Sequence, residues 1–136
     1  MVGPRVFTVE EAQAFVPELE ASFARIDGIR DALRTSKIKL NALEMIWGPE
    51  LLDAACPDAG EARALVEQLK HHEEEIGSVL RQLAEAGATI KDVHGGLVDF
   101  YHVRDGRLVF LCWKRGEREF SAWHHVDTGF ADRRPL

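Results

Sequence analysis

The chain has 136 residues, enough for one domain with a core of its own. Hydrophobic residues make up 46% and charged ones 29%, an ordinary balance for a water-soluble protein. A formal charge of −6 counts against nucleic acid and anionic membrane surfaces as partners, and no run approaches the ~20 apolar residues of a transmembrane helix.

The opening residues 1–12 lack the charged-then-apolar build of a signal peptide. Cys56 and Cys112 fall in different predicted elements and match no metal or redox spacing. Both features lead us to expect a reduced, cytoplasmic protein.

Thr8-Val9-Glu10-Glu11 has the spacing of a capping box, with Phe7 and Ala12 placed as a weak hydrophobic staple. A short helix is predicted to about Phe15. Pro17 then kinks the chain, because it lacks an amide donor and restricts Val16. A long helix follows to Trp47, so that residues 8–47 form one kinked helix. Its apolar positions recur in sevens at Leu19, Ile26, Leu33, Leu40 and Trp47, with Phe23, Ile29 and Leu43 between them. Gly48-Pro49 ends it.

Asp58 and Glu61 open a second helix over residues 58–86, and Gly87 stops it. Its seam reads Ala62, Leu69, Ile76 and Leu83, with Leu65, His72 and Val79 interleaved. Each helix would be about 40 Å long, and a short connector folds them into an antiparallel hairpin. Setting Trp47 near Glu61 brings Ser36 and Lys37 level with His72. That level is either a polar layer fixing register or a buried polar site using Glu73 or Glu75. His71-His72 is not the zinc motif HExxH, which separates its histidines by four.

Beyond Gly87, residues 88–90 form a short extra strand, and residues 97–103, 107–114 and 119–126 alternate as half-buried strands do. Asp105-Gly106 suits a tight type I′ turn, which sets Asp99 opposite Cys112 and His102 opposite Val109. A second two-residue turn at Gly116-Glu117 sets Lys114 opposite Glu119 and Val109 opposite His124. One face then carries Val98, Phe100, His102, Val109, Leu111, Trp113, Phe120 and His124, and should pack on the helices. The other carries Asp99, Tyr101, Phe110, Cys112 and Trp123. The expected fold is α+β: a long antiparallel helical hairpin, preceded by a short kinked helix, on a three-stranded antiparallel β-meander over 97–126. A tail over 127–136 completes a single domain, 1–136.

Several stretches carry a family resemblance: Gly96-Leu97-Val98-Asp99-Phe100, Leu111-Cys112-Trp113-Lys114 with Gly116-Glu117, Trp123-His124, Gly129-Phe130, and the closing Arg133-Arg134-Pro135-Leu136. Together with Phe7-Thr8, Glu11-Ala12 and Pro17, they resemble DUF2203, a family of small bacterial proteins. The resemblance implies one compact domain and supplies no activity.

The motif residues with chemical potential are Lys91, Asp92, Asp99, Cys112, Glu117, His124 and Arg133, joined by His72 and His102. No nucleophile elbow, phosphate loop or zinc spacing occurs. A carboxylate beside Cys112 makes the thiol a poorer nucleophile, and His124 on the opposite face would leave Cys112 without a base. Taken singly, these residues read as structural: Asp99 pairing with Lys91 or Arg133, Glu117 in a turn, Cys112 in the core. The leading expectation is therefore a protein-interaction or assembly module, homodimeric or bound to another protein, with no cofactor. The apolar surplus of two long helices and three strands motivates it. The alternative is a metal protein or metal-dependent enzyme holding zinc or iron on Asp99, Cys112 and His124.

Overall fold

The computed structural model describes residues 3–136, so Met1 and Val2, at the start of the predicted domain and opening segment, lie outside it. The chain divides into two compact units, one of residues 3–23 with Leu80–Leu136, the other Ala24–Val79. Among the described residues no helix is long and apolar enough to cross a membrane.

The first unit is built on a five-stranded antiparallel meander, β1 (Thr89–Asp92), β2 (Leu97–Arg104), β3 (Arg107–Lys114), β4 (Ala122–His125) and β5 (Arg134–Pro135), in that order. The expected three strands thus gain one neighbour on each side. β1 lengthens the strand predicted at 88–90 and shifts register between Ile90 and Asp92. β5 comes from the tail, where Pro135 tolerates an edge because it has no amide to donate.

The β2–β3 register is the predicted one. Asp105 and Gly106 both take positive φ, +52° and +77°, and Arg104 faces Arg107. The β3–β4 register is not. Phe110 faces His124 and Val109 faces His125, one residue away from expectation. The reason lies in the connection. The turn is closed by Glu117 N–H donating to the Lys114 carbonyl (3.0 Å), which centres it on Arg115-Gly116. Glu117 Oε1 accepts the Lys114 amide at 2.6 Å. Phe120 N–H donates to Gln13 Oε1 (2.8 Å), and Gln13 Nε2 donates to the Arg118 carbonyl (3.1 Å). Side chains satisfy the backbone that a tight hairpin would have paired, and the extra loop residue exchanges the faces of β4.

Helix α1 (Val9–Ala14) begins with the predicted capping box: Glu11 N–H donates to Thr8 Oγ1 (3.1 Å) and Thr8 N–H to Glu11 Oε1 (3.0 Å). After a break at Phe15, helix α2 (Val16–Trp47) begins, with Pro17 in its first turn. The apolar sheet face is covered by aromatics from this segment. Phe7 and Phe15 lie 4.3 and 5.5 Å from Phe100, and Phe23 lies 6.2 Å from Trp113. Phe7, Phe23, Phe100 and Trp113 are fully buried, each stabilising the fold by about 2 kcal/mol on area grounds. Helix α3 (Ala59–Glu85) ends in a Schellman motif: Ala88 N–H reaches the Leu83 carbonyl, Gly87 N–H reaches Ala84, and Gly87 has φ +109°.

In the second unit, α2 and α3 contribute Ala24–Trp47 and Ala59–Val79, joined by a 3-10 turn at Gly48–Leu52. Trp47 Nε1 donates to Asp58 Oδ2 (2.7 Å), and Ser36 Oγ bonds Gln68 Oε1 (3.0 Å). These contacts make the two stretches an antiparallel pair, one helical turn away from the expected register. The polar layer is therefore Ser36–Gln68, and His72 turns to Glu75 on its own helix.

Candidate functional site

The mixed sheet face holds the cluster with most chemical potential. Asp99 and Cys112 are cross-strand partners on β2 and β3. The corrected register brings His124 to the same face, diagonal to Cys112, where it had been expected on the other. One nitrogen, oxygen or sulfur atom from each of Asp99, Cys112 and His124 lies within 4.8 Å of the others. All three side chains are buried, Asp99 and His124 at 1% exposure and Cys112 at 0%.

The bonds inside the cluster constrain the His124 tautomer. His124 Nδ1 faces the His125 carbonyl at 2.7 Å, an atom that only accepts, so Nδ1 carries a hydrogen. His124 Nε2 faces Asp99 Oδ2 at 2.9 Å, so one proton lies between them, on the carboxyl or on the ring. Burial raises the Asp99 carboxyl above its ordinary range, while the His124 charge and bonds from Cys112 and His124 pull the other way. The other carboxylate oxygen, Oδ1, is buried without a well-formed hydrogen bond. Such an orphan costs about 1–3 kcal/mol. The Cys112 thiol is pushed up to about 12, by burial first and by Asp99 second. It is no nucleophile at neutral pH, and His124 is turned to Asp99 rather than to sulfur.

The remaining sequence candidates are distributed. Lys91, at the β1 irregularity, sets its Nζ 4.8 Å above the Phe110 ring. Tyr101 packs tilted against the buried Phe110, with ring centroids 4.5 Å apart, so the chain itself covers the middle of this face. Trp123 belongs to the opposite face, as the partner of Leu111, beneath the guanidinium of Arg104 at 4.9 Å. His102 does not meet His124: it faces Val109, whose other partner is His125, and its Nδ1 bonds the Phe7 carbonyl at 2.7 Å. His72 lies in the other unit with Glu75, and neither joins the cluster.

Glu117 and Arg133 prove to be partners. Arg133 Nη2 donates to both Glu117 oxygens at 2.9 Å and points a longer 3.4 Å contact at the Cys112 carbonyl. Arg133, expected as a partner for Asp99, thus ties the tail to the β3–β4 loop instead. Its guanidinium also covers the Phe130 ring at 4.8 Å.

In the helical unit, α2 and the turn after it carry exposed apolar residues outside the seven-residue seam. Met45 is 88% exposed and Ile46 69%, with Ile38 and Leu52 bare beside them in sequence. Ile38, Met45 and Leu52 are seven apart, a second beat present in the sequence but overshadowed by the first.

A model of the family described as uncharacterized conserved protein (DUF2203) matches residues 5–136. No curated protein and no solved structure matches the chain.

Proposed function

The chain belongs to the DUF2203 family, a membership that brings no activity with it, and we propose that it is a small assembly module whose α2 arm docks on a second copy of itself. The observation that carries this reading is the bare apolar stripe on α2. Counting 100° per residue, Ile26, Ile29, Leu33, Leu40 and Leu43 lie on the side shared with Ser36, whereas Ile38, Ala42 and Met45 lie on the opposite side, with Ile46 at its edge. A helix apolar on two sides is normally covered on two sides.

A second copy fits the stripe better than an unrelated chain. An antiparallel self-pairing centred on Ala42 puts a small residue at the crossing and sets Ile38 against Ile46. Lys39 and Glu44 then fall within reach along the rim, an opposite-charge pair. Two stripes with their tips bring eight large side chains together, on the order of 1,000 Å² of buried surface, the lower bound for a specific interface. A cleft of about 300 Å³ at the tip, lined by Glu44, Gly48, Pro49, Leu51 and Leu52, adds further contact area. Cys56 and Cys112 are both free thiols, which suits a cytoplasmic workplace.

Light scattering over a concentration series tests the reading. The expected mass is that of a dimer, and Ile38→Glu with Met45→Glu should give a monomer with an unchanged circular dichroism spectrum. A wild-type chain that stays monomeric at high micromolar concentration would overturn it.

A further inference from the structure

We infer that Asp99, Cys112 and His124 form a site for one divalent transition-metal ion of the zinc class. This inference stands apart from the assembly reading and uses different residues. Its first support is convergence: three donors from three adjacent strands, β2, β3 and β4, lie within 4.8 Å of one another on a rigid sheet. Carboxylate oxygen, thiolate sulfur and imidazole nitrogen are together the donor set of zinc, cobalt and iron(II). A hard ion such as magnesium or calcium would avoid the sulfur.

The second support is orientation. Metal-bound histidines donate their distal N–H to a carbonyl or carboxylate, which fixes the tautomer and aims the other nitrogen inward. His124 already does this, with Nδ1 held by the His125 carbonyl at 2.7 Å and Nε2 directed at the cluster.

The third support is an unmet need. Asp99 Oδ1 is buried without a well-formed hydrogen bond, and the Cys112 and His124 side chains beside it are buried too. A dipositive ion would satisfy that oxygen. Thiolate and carboxylate contribute two negative charges and neutral imidazole none, so the loaded cluster is electrically neutral where charge is costly. Loading displaces the thiol proton and the proton shared by Asp99 and His124, and both leave to solvent.

Distances are compatible. Zinc bond lengths in a tetrahedron separate nitrogen from oxygen by about 3.3 Å and nitrogen from sulfur by about 3.6 Å. The observed Asp99–His124 separation is 2.9 Å, and the widest separation is bounded by 4.8 Å. Among the described residues no further His, Cys, Asp or Glu joins the group, so the fourth position falls to water or a small ligand.

The test is refolding of the full chain in the presence of cobalt(II), so that burial does not bar entry. The expected result is a near-ultraviolet thiolate-to-cobalt charge-transfer band that saturates at one equivalent and is abolished by an equivalent of zinc. Cys112→Ser should lose the band. His124→Gln should weaken cobalt binding at least about tenfold, in line with loss of a metal ligand, while His102→Gln should leave the titration unchanged. Wild-type protein that refolds without the band, or a band that survives Cys112→Ser, overturns the site. Should Cys112→Ser fail to refold, elemental analysis of the wild-type chain refolded with zinc and dialysed decides. About one zinc per chain supports the site, and less than about one in ten overturns it.

Discussion

Glu117 illustrates how much one side chain can organise. Its carboxylate accepts the Lys114 amide at 2.6 Å and both bonds from Arg133 at 2.9 Å, and its own carbonyl accepts Trp113 Nε1 at 2.9 Å. It is 29% exposed on its side chain and Arg133 17%, so water only partly replaces these partners. Glu117→Ala should therefore destabilise the chain by about 1–3 kcal/mol, the range for stranding part-buried donors. Glu117→Gln keeps an oxygen for the Lys114 amide and should cost less than half as much. Urea denaturation of the two variants checks this, and an alanine effect below about 0.5 kcal/mol would show the contact to be a surface pair of little weight. At this scale the sequence was informative about residue identity and weak about partnership. Asp99, Cys112 and His124 stand out by type and do converge. The pairing of Glu117 with Arg133 spans 16 residues and depends on where the tail returns, which no local pattern encodes.

Among elements, the two hairpins show when a turn signal fixes register. Asp105-Gly106 has both residues at positive φ, as a two-residue turn needs, so the whole β2–β3 ladder was legible. Gly116 is also left-handed, at φ +100°, but Glu117 captures the Lys114 amide before it and Gln13 the Phe120 amide after it, and the strand re-enters one residue late. Gln13 lies 107 residues away from Phe120 in sequence, which is why periodicity alone gave the wrong face for His124. Two glycines of this region should answer substitution differently. A methyl at Gly96, φ +69°, would sit 2.5 Å from Arg115 Cβ, an atom too close to the backbone to swing aside. At Gly116 the same methyl meets nothing within 4 Å. Both changes incur the left-handed penalty of about 1–2 kcal/mol. Gly96→Ala adds an overpacking cost of about 1–3 kcal/mol. Thermal denaturation should rank Gly96→Ala well below Gly116→Ala, and equal melting temperatures would mean the Gly96–Arg115 approach relaxes freely.

For the whole molecule, the division into two units separates two roles. Residues 3–23 with Leu80–Leu136 bury their aromatic core and the middle of β2 and β3, and leave Val103, Leu108 and Phe130 exposed. Ala24–Val79 buries its seam less completely: Leu33, Leu40, Leu43, Leu69 and Ile76 are only half-buried, and the α2 stripe is bare. Two helices of this length, without a third layer, leave part of each apolar face in water. Local opening should therefore cost least in the arm, and it should become costlier wherever a second copy covers it. Hydrogen exchange over a hundredfold range of protein concentration measures this directly. If the arm pairs with its own kind, amides of Ala24–Val79 should slow as concentration rises through the dimerisation range, while those of β2 and β3 stay constant. The change belongs to association rather than to general stabilisation only if it vanishes in the Ile38→Glu, Met45→Glu chain. Slowing confined to β2 and β3 would instead place the second copy on the sheet unit, whose exposed Val103, Leu108 and Phe130 are the next apolar surface available.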